Sequence, residues 1–314
     1  MMEMIVSLGM LALGFFLLVK GADWFVDGVS GIADRFGIPQ LVIGLTVVAM
    51  GTSLPEAAVS ITAALDGVSG IAMGNIVGSN ILNILIILGI TAVLTRVPVQ
   101  RSTVRVEIPY MILITVVLLV LGLSGRRISR GEGAVLWGFF LIYLGYLGYI
   151  ARKGQEQQGD EPEIHRHLPV YRLLLMTALG VCGIIAGSKL AVGGASDLAR
   201  AFGISEKFIG LTVVALGTSL PELVTSVIAA RRGKADIAIG NIVGSNVFNI
   251  LFVIGTTSLI TPVPFPANFI PDMAVAIGAA LLLWAGVLKK HALGRGVGVV
   301  MLLAYAGYFA YLCR

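Results

Sequence analysis

The chain is predicted to be an all-α integral membrane protein, with ten transmembrane helices arranged as two inverted five-helix repeats and with helices 2 and 7 broken. Three observations carry this. Hydrophobic residues make up 57% of the 314 positions and charged residues only 12%, a balance that excludes a water-soluble globular domain of this length. The apolar positions fall into ten runs of roughly bilayer-spanning length. The 21 residues from Phe36 to Glu56 return 166 positions later as Phe202 to Glu222, with 16 identities and no gap. The same offset carries Gly74 to Asn83 onto Gly240 to Asn249.

In chain order the runs cover residues 5–19, 41–65, 70–94, 104–123, 134–150, 168–190, 208–230, 237–260, 269–288 and 296–312. The first follows neither a basic n-region nor a small-residue cleavage site, so it reads as a retained span rather than a signal peptide. The one markedly polar stretch divides the chain into a first repeat, 1–151, a polar cytoplasmic linker, 152–167, and a second repeat, 168–314. The linker is too short to fold alone. Because five is odd, the second copy enters the membrane from the opposite side. Placing both termini outside puts 15 of the 22 Lys and Arg residues on the cytoplasmic side. A multi-pass protein of the cell (inner) membrane, with both termini extracytoplasmic, is therefore expected. The basic residues sit in short loops rather than in a patch interleaved with aromatics, so the net charge of +5 orients the chain and does not point to nucleic acid.

Each copy carries Gly-Thr-Ser-Leu-Pro-Glu inside an apolar run, Gly51 to Glu56 and Gly217 to Glu222. Pro55 has no N–H and its ring clashes with the carbonyl of Gly51, so the helix kinks or breaks there. Irregular backbone at membrane depth is tolerated only where it is buried in protein or lines a wet cavity. A charged side chain at the bilayer centre costs at least ~2.5–3.5 kcal/mol, which makes Glu56 and Glu222 functional candidates. Freed carbonyls beside a carboxylate are hard oxygen ligands suited to cations. Thr52 and Thr218 stand four residues before each glutamate, on the same helical face.

The companion motif supplies an opposing wall. Asn75, Ser79 and Asn83 recur every four residues, as do Asn241, Ser245 and Asn249, and form a polar stripe on one face. Ion coordination is expected of Ser79, Asn83, Ser245 and Asn249. Gly74 and Gly78, like Gly240 and Gly244, have the spacing that lets helix backbones approach closely. Asn80 and Asn246 point about 100° away and are expected to bond backbone at the break.

The remaining polar residues suggest no second chemistry. Asp23, Asp27 and Asp34 follow the first run and are expected to be solvated. His165, His167 and His291 lie in polar loops without metal-ligand spacing. Cys182 and Cys313 read as small core residues. Trp24, Trp137, Trp284, Tyr143 and Tyr146 fit interfacial or lipid-facing packing. No phosphate-binding loop, nucleophile elbow or cofactor motif occurs, so neither an enzyme nor a bound cofactor is expected.

Paired GTSLPE and GNIVGSN motifs in inverted five-helix halves resemble the calcium/cation antiporter superfamily, in particular its sodium/calcium exchanger branch of prokaryotic type. The resemblance covers essentially the whole chain. It implies a ten-helix fold in which the second, third, seventh and eighth spans surround the ion sites. It implies a central site formed by the residues matching Glu56 and Glu222, with backbone oxygen from Thr52 and Thr218. The resemblance also implies flanking sodium sites that use the residues matching Ala49 and Ala215 through carbonyls, and Ser53, Ser219, Ser79 and Ser245 through hydroxyls. Asn83 and Asn249 complete the middle. Some branches, including potassium-dependent exchangers and certain prokaryotic members, place an aspartate where this chain has Asn249, so the resemblance argues against potassium co-transport and leaves the sodium count open. The transported ions are expected to be Ca²⁺ and Na⁺, with no other cofactor. A Ca²⁺/H⁺ antiporter is the alternative, and a cation channel a more distant one. Nothing in the sequence specifies an oligomer.

Charge predicts the mechanism. Two ionised glutamates facing each other in a low-dielectric site are costly to carry bare across the membrane centre. One Ca²⁺, or two or more Na⁺, neutralises them, so only loaded carriers would exchange between inward-facing and outward-facing states. Calcium suits six to eight flexible oxygens, whereas magnesium demands a tight octahedron, so magnesium is expected to be a poor substrate.

Overall fold

The computed structural model describes residues 2–157, 168–203 and 215–312. These form helices α1 (Met2–Phe36), α2 (Gln40–Thr52), α3 (Leu54–Leu65), α4 (Gly70–Leu94), α5 (Thr103–Gly125), α6 (Arg130–Gln157), α7 (Val170–Ala201), α8 (Ala215–Thr218), α9 (Leu220–Arg231), α10 (Ala235–Ile260), α11 (Phe269–Leu288) and α12 (Arg295–Leu312). Among the described residues eight helices are long and apolar enough to cross a bilayer, and the bent pair α2 and α3 makes a ninth. The expected span 208–230 lies partly outside the described residues; its described part is α8 and α9. The linker expected at 152–167 falls mostly outside them too, and Arg152–Gln157 continues α6.

Two spans are longer than their apolar runs suggest. α1 extends 35 residues and α7 extends 32, about 52 and 48 Å at 1.5 Å per residue, which exceeds the hydrocarbon thickness. Charged residues at 20, 23 and 27 mark an apparent end at residue 19, but the opposite face continues buried through Phe25, Val26, Val29 and Ala33. The two helices pack antiparallel along a seam of glycines spaced seven apart, Gly14, Gly21 and Gly28 against Gly180, Gly187 and Gly194. A Cβ at Gly14 would lie 2.5 Å from the Ala191 nitrogen, at Gly21 2.7 Å from the Ile184 nitrogen, and at Gly187 2.6 Å from the Leu18 nitrogen. Backbone therefore touches backbone, as small residues allow in membranes.

The breaks fall where the Gly-Pro motifs place them. α2 and α3 meet at 50°, with Ser53 at φ −87°, ψ 10° and its counterpart Ser219 at φ −92°, ψ 4°. This bridge conformation admits a turn between two helical segments. Pro55 and Pro221 then occupy the first turn of the following helix, where a missing N–H costs nothing. α10 is the most enclosed helix, buried along nearly its whole length. Gly240 and Gly244 let it approach the backbone of Gly44 and Leu45.

Short strands modify the all-helical expectation at the rims. β1 (Val97–Pro98) pairs antiparallel with β4 (Ala292–Leu293), and β2 (Arg127–Ile128) with β3 (Val263–Pro264). Each ladder joins one repeat to the other. Paired strands must lie on one side of the bilayer, so an even number of crossings separates their loops. That parity is consistent with ten crossings and inverted repeats.

Candidate cation site

Each glutamate sits in the first turn of a half-helix, Glu56 in α3 and Glu222 in α9. The positive end of the half-helix dipole favours a carboxylate there. The two breaks meet in the middle of the fold. Ser53 Oγ donates to Glu222 Oε1 at 2.8 Å, and Ser219 Oγ faces Glu56 Oε1 at 3.4 Å. Ser53, Glu56, Ser219 and Glu222 are all buried.

The wall opposite is built by α4 and α10, each of which changes to a π-helical turn starting at its last motif asparagine, Asn83–Leu88 and Asn249–Ile254. Such turns redirect side chains at functional sites. Asn80 Nδ2 donates to the Asn246 carbonyl at 3.3 Å, and Asn246 Nδ2 to the Asn80 carbonyl at 3.2 Å. The side-chain oxygens of this pair then accept from the next asparagines, Asn83 Nδ2 to Asn246 Oδ1 and Asn249 Nδ2 to Asn80 Oδ1, both at 3.0 Å. With those donors committed, Asn83 Oδ1 and Asn249 Oδ1 are left buried without a partner. So are Glu56 Oε2 and Glu222 Oε2.

Four buried acceptors, two from each repeat, thus lack a protein donor. A buried polar atom without a partner costs about 1–3 kcal/mol, and a cation satisfies such acceptor oxygens directly. No cluster of three or more His, Cys, Asp or Glu occurs among the described residues, so the charge here is that of two carboxylates. Ser245 Oγ donates to the Ala49 carbonyl at 3.3 Å, bringing those two expected ligands together. Thr52 is buried and its hydroxyl donates to Asn241 Oδ1 at 2.9 Å. Ser79 is buried on α4, and Thr218 ends α8 beside Ser219. The side chain of Ala215 lies outside the described residues.

Sequence reasoning placed Asn75 and Asn241 in the stripe, but their amides brace the half-helices instead. Asn75 Nδ2 bonds the Glu56 carbonyl and Ser60 Oγ, and Asn241 Nδ2 the Glu222 carbonyl and Ser226 Oγ. Asn80 and Asn246 do bond backbone, but each other's, across the repeat axis rather than at the break. Their recurrence in both motifs was the available signal. A third buried carboxylate lies outside both motifs: Glu107 on α5 accepts from Tyr146 at 2.5 Å, while the neighbouring Tyr143 is buried against Tyr110 rather than facing lipid. Trp137 and Trp284 likewise bond inward, to Thr256 Oγ1 and the Val104 carbonyl. Cys182 is exposed, not core, and Cys313 lies outside the described residues. Asp23 and Asp27 are not solvated singly but paired with Arg232.

A cavity of about 780 Å³ runs between α3 and α7 to Pro55, Gly217 and Thr218 at the site's edge. At the equivalent positions between α9 and α1, Ala22, Val26, Thr225 and Ala229 are buried. Val59, 43% exposed, lines the cavity, whereas its repeat counterpart Thr225 is 0% exposed.

Broken half-helices, a site of buried acceptor oxygens and access from one face define a multi-pass membrane antiporter of cations. Two segments of the chain, residues 6–149 and 172–314, match the family described as sodium/calcium exchanger protein. The chain belongs to that family. It is 39% identical over 97% of its length to the putative antiporter CaxA of Alkalimonas amylolytica, covering 98% of that protein. It is 38% identical over 98% of its length to inner membrane protein YrbG of Escherichia coli, covering 97% of it. A solved structure of the sodium-calcium exchanger NCX_Mj superposes with a TM-score of 0.84 at 35% identity, covering 98% of this chain and 99% of that one.

Proposed function

We propose that this protein exchanges Ca²⁺ for Na⁺ across the cell membrane by alternating access, with Glu56 and Glu222 as the charged ligands. The observation that carries this is the set of four unpartnered acceptors, Glu56 Oε2, Glu222 Oε2, Asn83 Oδ1 and Asn249 Oδ1. Two negative charges and flexible neutral oxygens match one Ca²⁺ or two or more Na⁺. Thr52 and Thr218, through backbone oxygen, complete the central site. Ser53, Ser79 and Ala49, with Ser219, Ser245 and Ala215, serve the flanking Na⁺ sites. The bare pair of carboxylates is too costly to reorient, so each half-cycle needs an ion and exchange becomes obligatory. Both termini are outside in this reading, and the 780 Å³ cavity opens outward.

The test is ⁴⁵Ca²⁺ uptake into proteoliposomes loaded with Na⁺, compared with vesicles loaded with K⁺ and with vesicles bearing a pH gradient. Uptake that requires internal Na⁺ is the expected result. Uptake driven by the pH gradient alone moves the protein to proton coupling, and uptake without any counter-ion makes it a channel.

A further inference from the structure

We propose that Asp23, Asp27 and Arg232 on one face, and Lys189 and Asp66 on the other, are reciprocal charge clamps that close the two access routes in turn. The inference rests on the alternating-access reading above. Arg232 follows the last turn of α9, the half-helix of Glu222. Its guanidinium pairs with Asp23 at 2.6 Å and also with Asp27. The two aspartates stand four apart on α1, on one helical face. The clamp therefore ties the long helix to the half-helix, and the residues between them, Ala22, Val26, Thr225 and Ala229, are fully buried.

The 166-residue offset relates Asp23 to Lys189 and Arg232 to Asp66. Both partners have changed sign, so the attraction is preserved while neither residue is. Lys189 lies on α7 and Asp66 follows α3, the half-helix of Glu56; both line the open cavity. Among the described residues no ion pair joins them. In an inverted repeat, one face in one state has the packing of the other face in the opposite state. Lys189 and Asp66 would thus meet when the cavity closes, as Asp23 and Arg232 meet here. Asp27 corresponds to Gly193, so the closed face has a second carboxylate that its counterpart lacks. That difference biases the ion-free protein toward the state with the cavity open.

The test uses full-length protein in detergent with Cys182 and Cys313 replaced by Ser, so that both faces are reachable. Val59→Cys reports the open route and Thr225→Cys the closed one, each read as its rate of modification by a polar maleimide. Val59→Cys is expected to react much faster. Adding Arg232→Gln should speed Thr225→Cys and slow Val59→Cys, raising the ratio of the two rates about fivefold, as expected for loss of a partly exposed charge pair. Independently, copying the closed clamp onto the open face with Lys189→Asp, Gly193→Asp and Asp66→Arg should slow Val59→Cys and speed Thr225→Cys. Unchanged rates in both variants would overturn the clamps while leaving Na⁺-driven Ca²⁺ uptake intact; absence of that uptake in the wild type would instead remove the exchange reading.

Discussion

The face between α1 and α9 and the face between α3 and α7 derive from the same repeated segment, yet one is packed and the other holds a cavity. Thr225 is fully buried where Val59 is open, and Thr52 is more buried than Thr218. The break itself does not separate them, since the motifs around Ser53 and Ser219 are identical from Gly to Glu. On the alternating-access reading proposed above, the difference is one of state. A repeated sequence has adopted two conformations at once in a single chain, and exchanging them would invert which face is open.

The comparison is broken most severely at the acids. Glu56→Gln and Glu222→Gln should each lower Ca²⁺ uptake at least about a hundredfold, with unchanged elution on size exclusion, because each removes half the charge that a divalent ion requires. Near-normal uptake in either variant would show that the two copies contribute unequally and would sink the shared site. A smaller loss is expected where the repeats orient each other. Asn246→Ala frees the Asn83 amide, so the apparent Ca²⁺ affinity should fall about 10- to 100-fold, the range seen when residues supporting metal ligands are removed; Asn80→Ala should match it through Asn249. An effect confined to one of the two would mark the central asparagine exchange as asymmetric. The mildest change sharpens the packing side. Gly187→Leu places atoms 2.6–2.7 Å from the α1 backbone and should destabilise by about 1–3 kcal/mol, read as a lowered melting temperature, whereas Gly148→Leu meets open space and should not.

Much of this arrangement was legible in the chain. Apolar run length located the shorter spans, and the doubled Gly-Pro-Glu motif located both breaks. The ends of α1 and α7 were not legible, because charges on one face of a helix end an apolar run without ending the helix. The glycine seam was written in the sequence at 14, 21, 28, 180, 187 and 194, but a seven-residue spacing of small residues reads only when the two partner helices are known. Asn80 and Asn246 were misplaced for a related reason: helical periodicity within one span cannot show that its off-stripe residue faces the same residue of the other span. The pairing of Asp23 and Asp27 with Arg232 joins residues some two hundred positions apart, beyond any local pattern.

The asparagine exchange has a consequence for how the molecule diverged. Asn80 binds Asn246 as Asn246 binds Asn80, the isologous pattern of a two-fold homodimer. Two separate copies would be compelled to carry the same residue at every matched position, so a basic residue opposite an acid on one side would always be mirrored on the other. Joining the copies into one polypeptide lifts that constraint. Position 23 can be aspartate while position 189 is lysine, and the two sides of the membrane can be tuned apart without disturbing the centre they share.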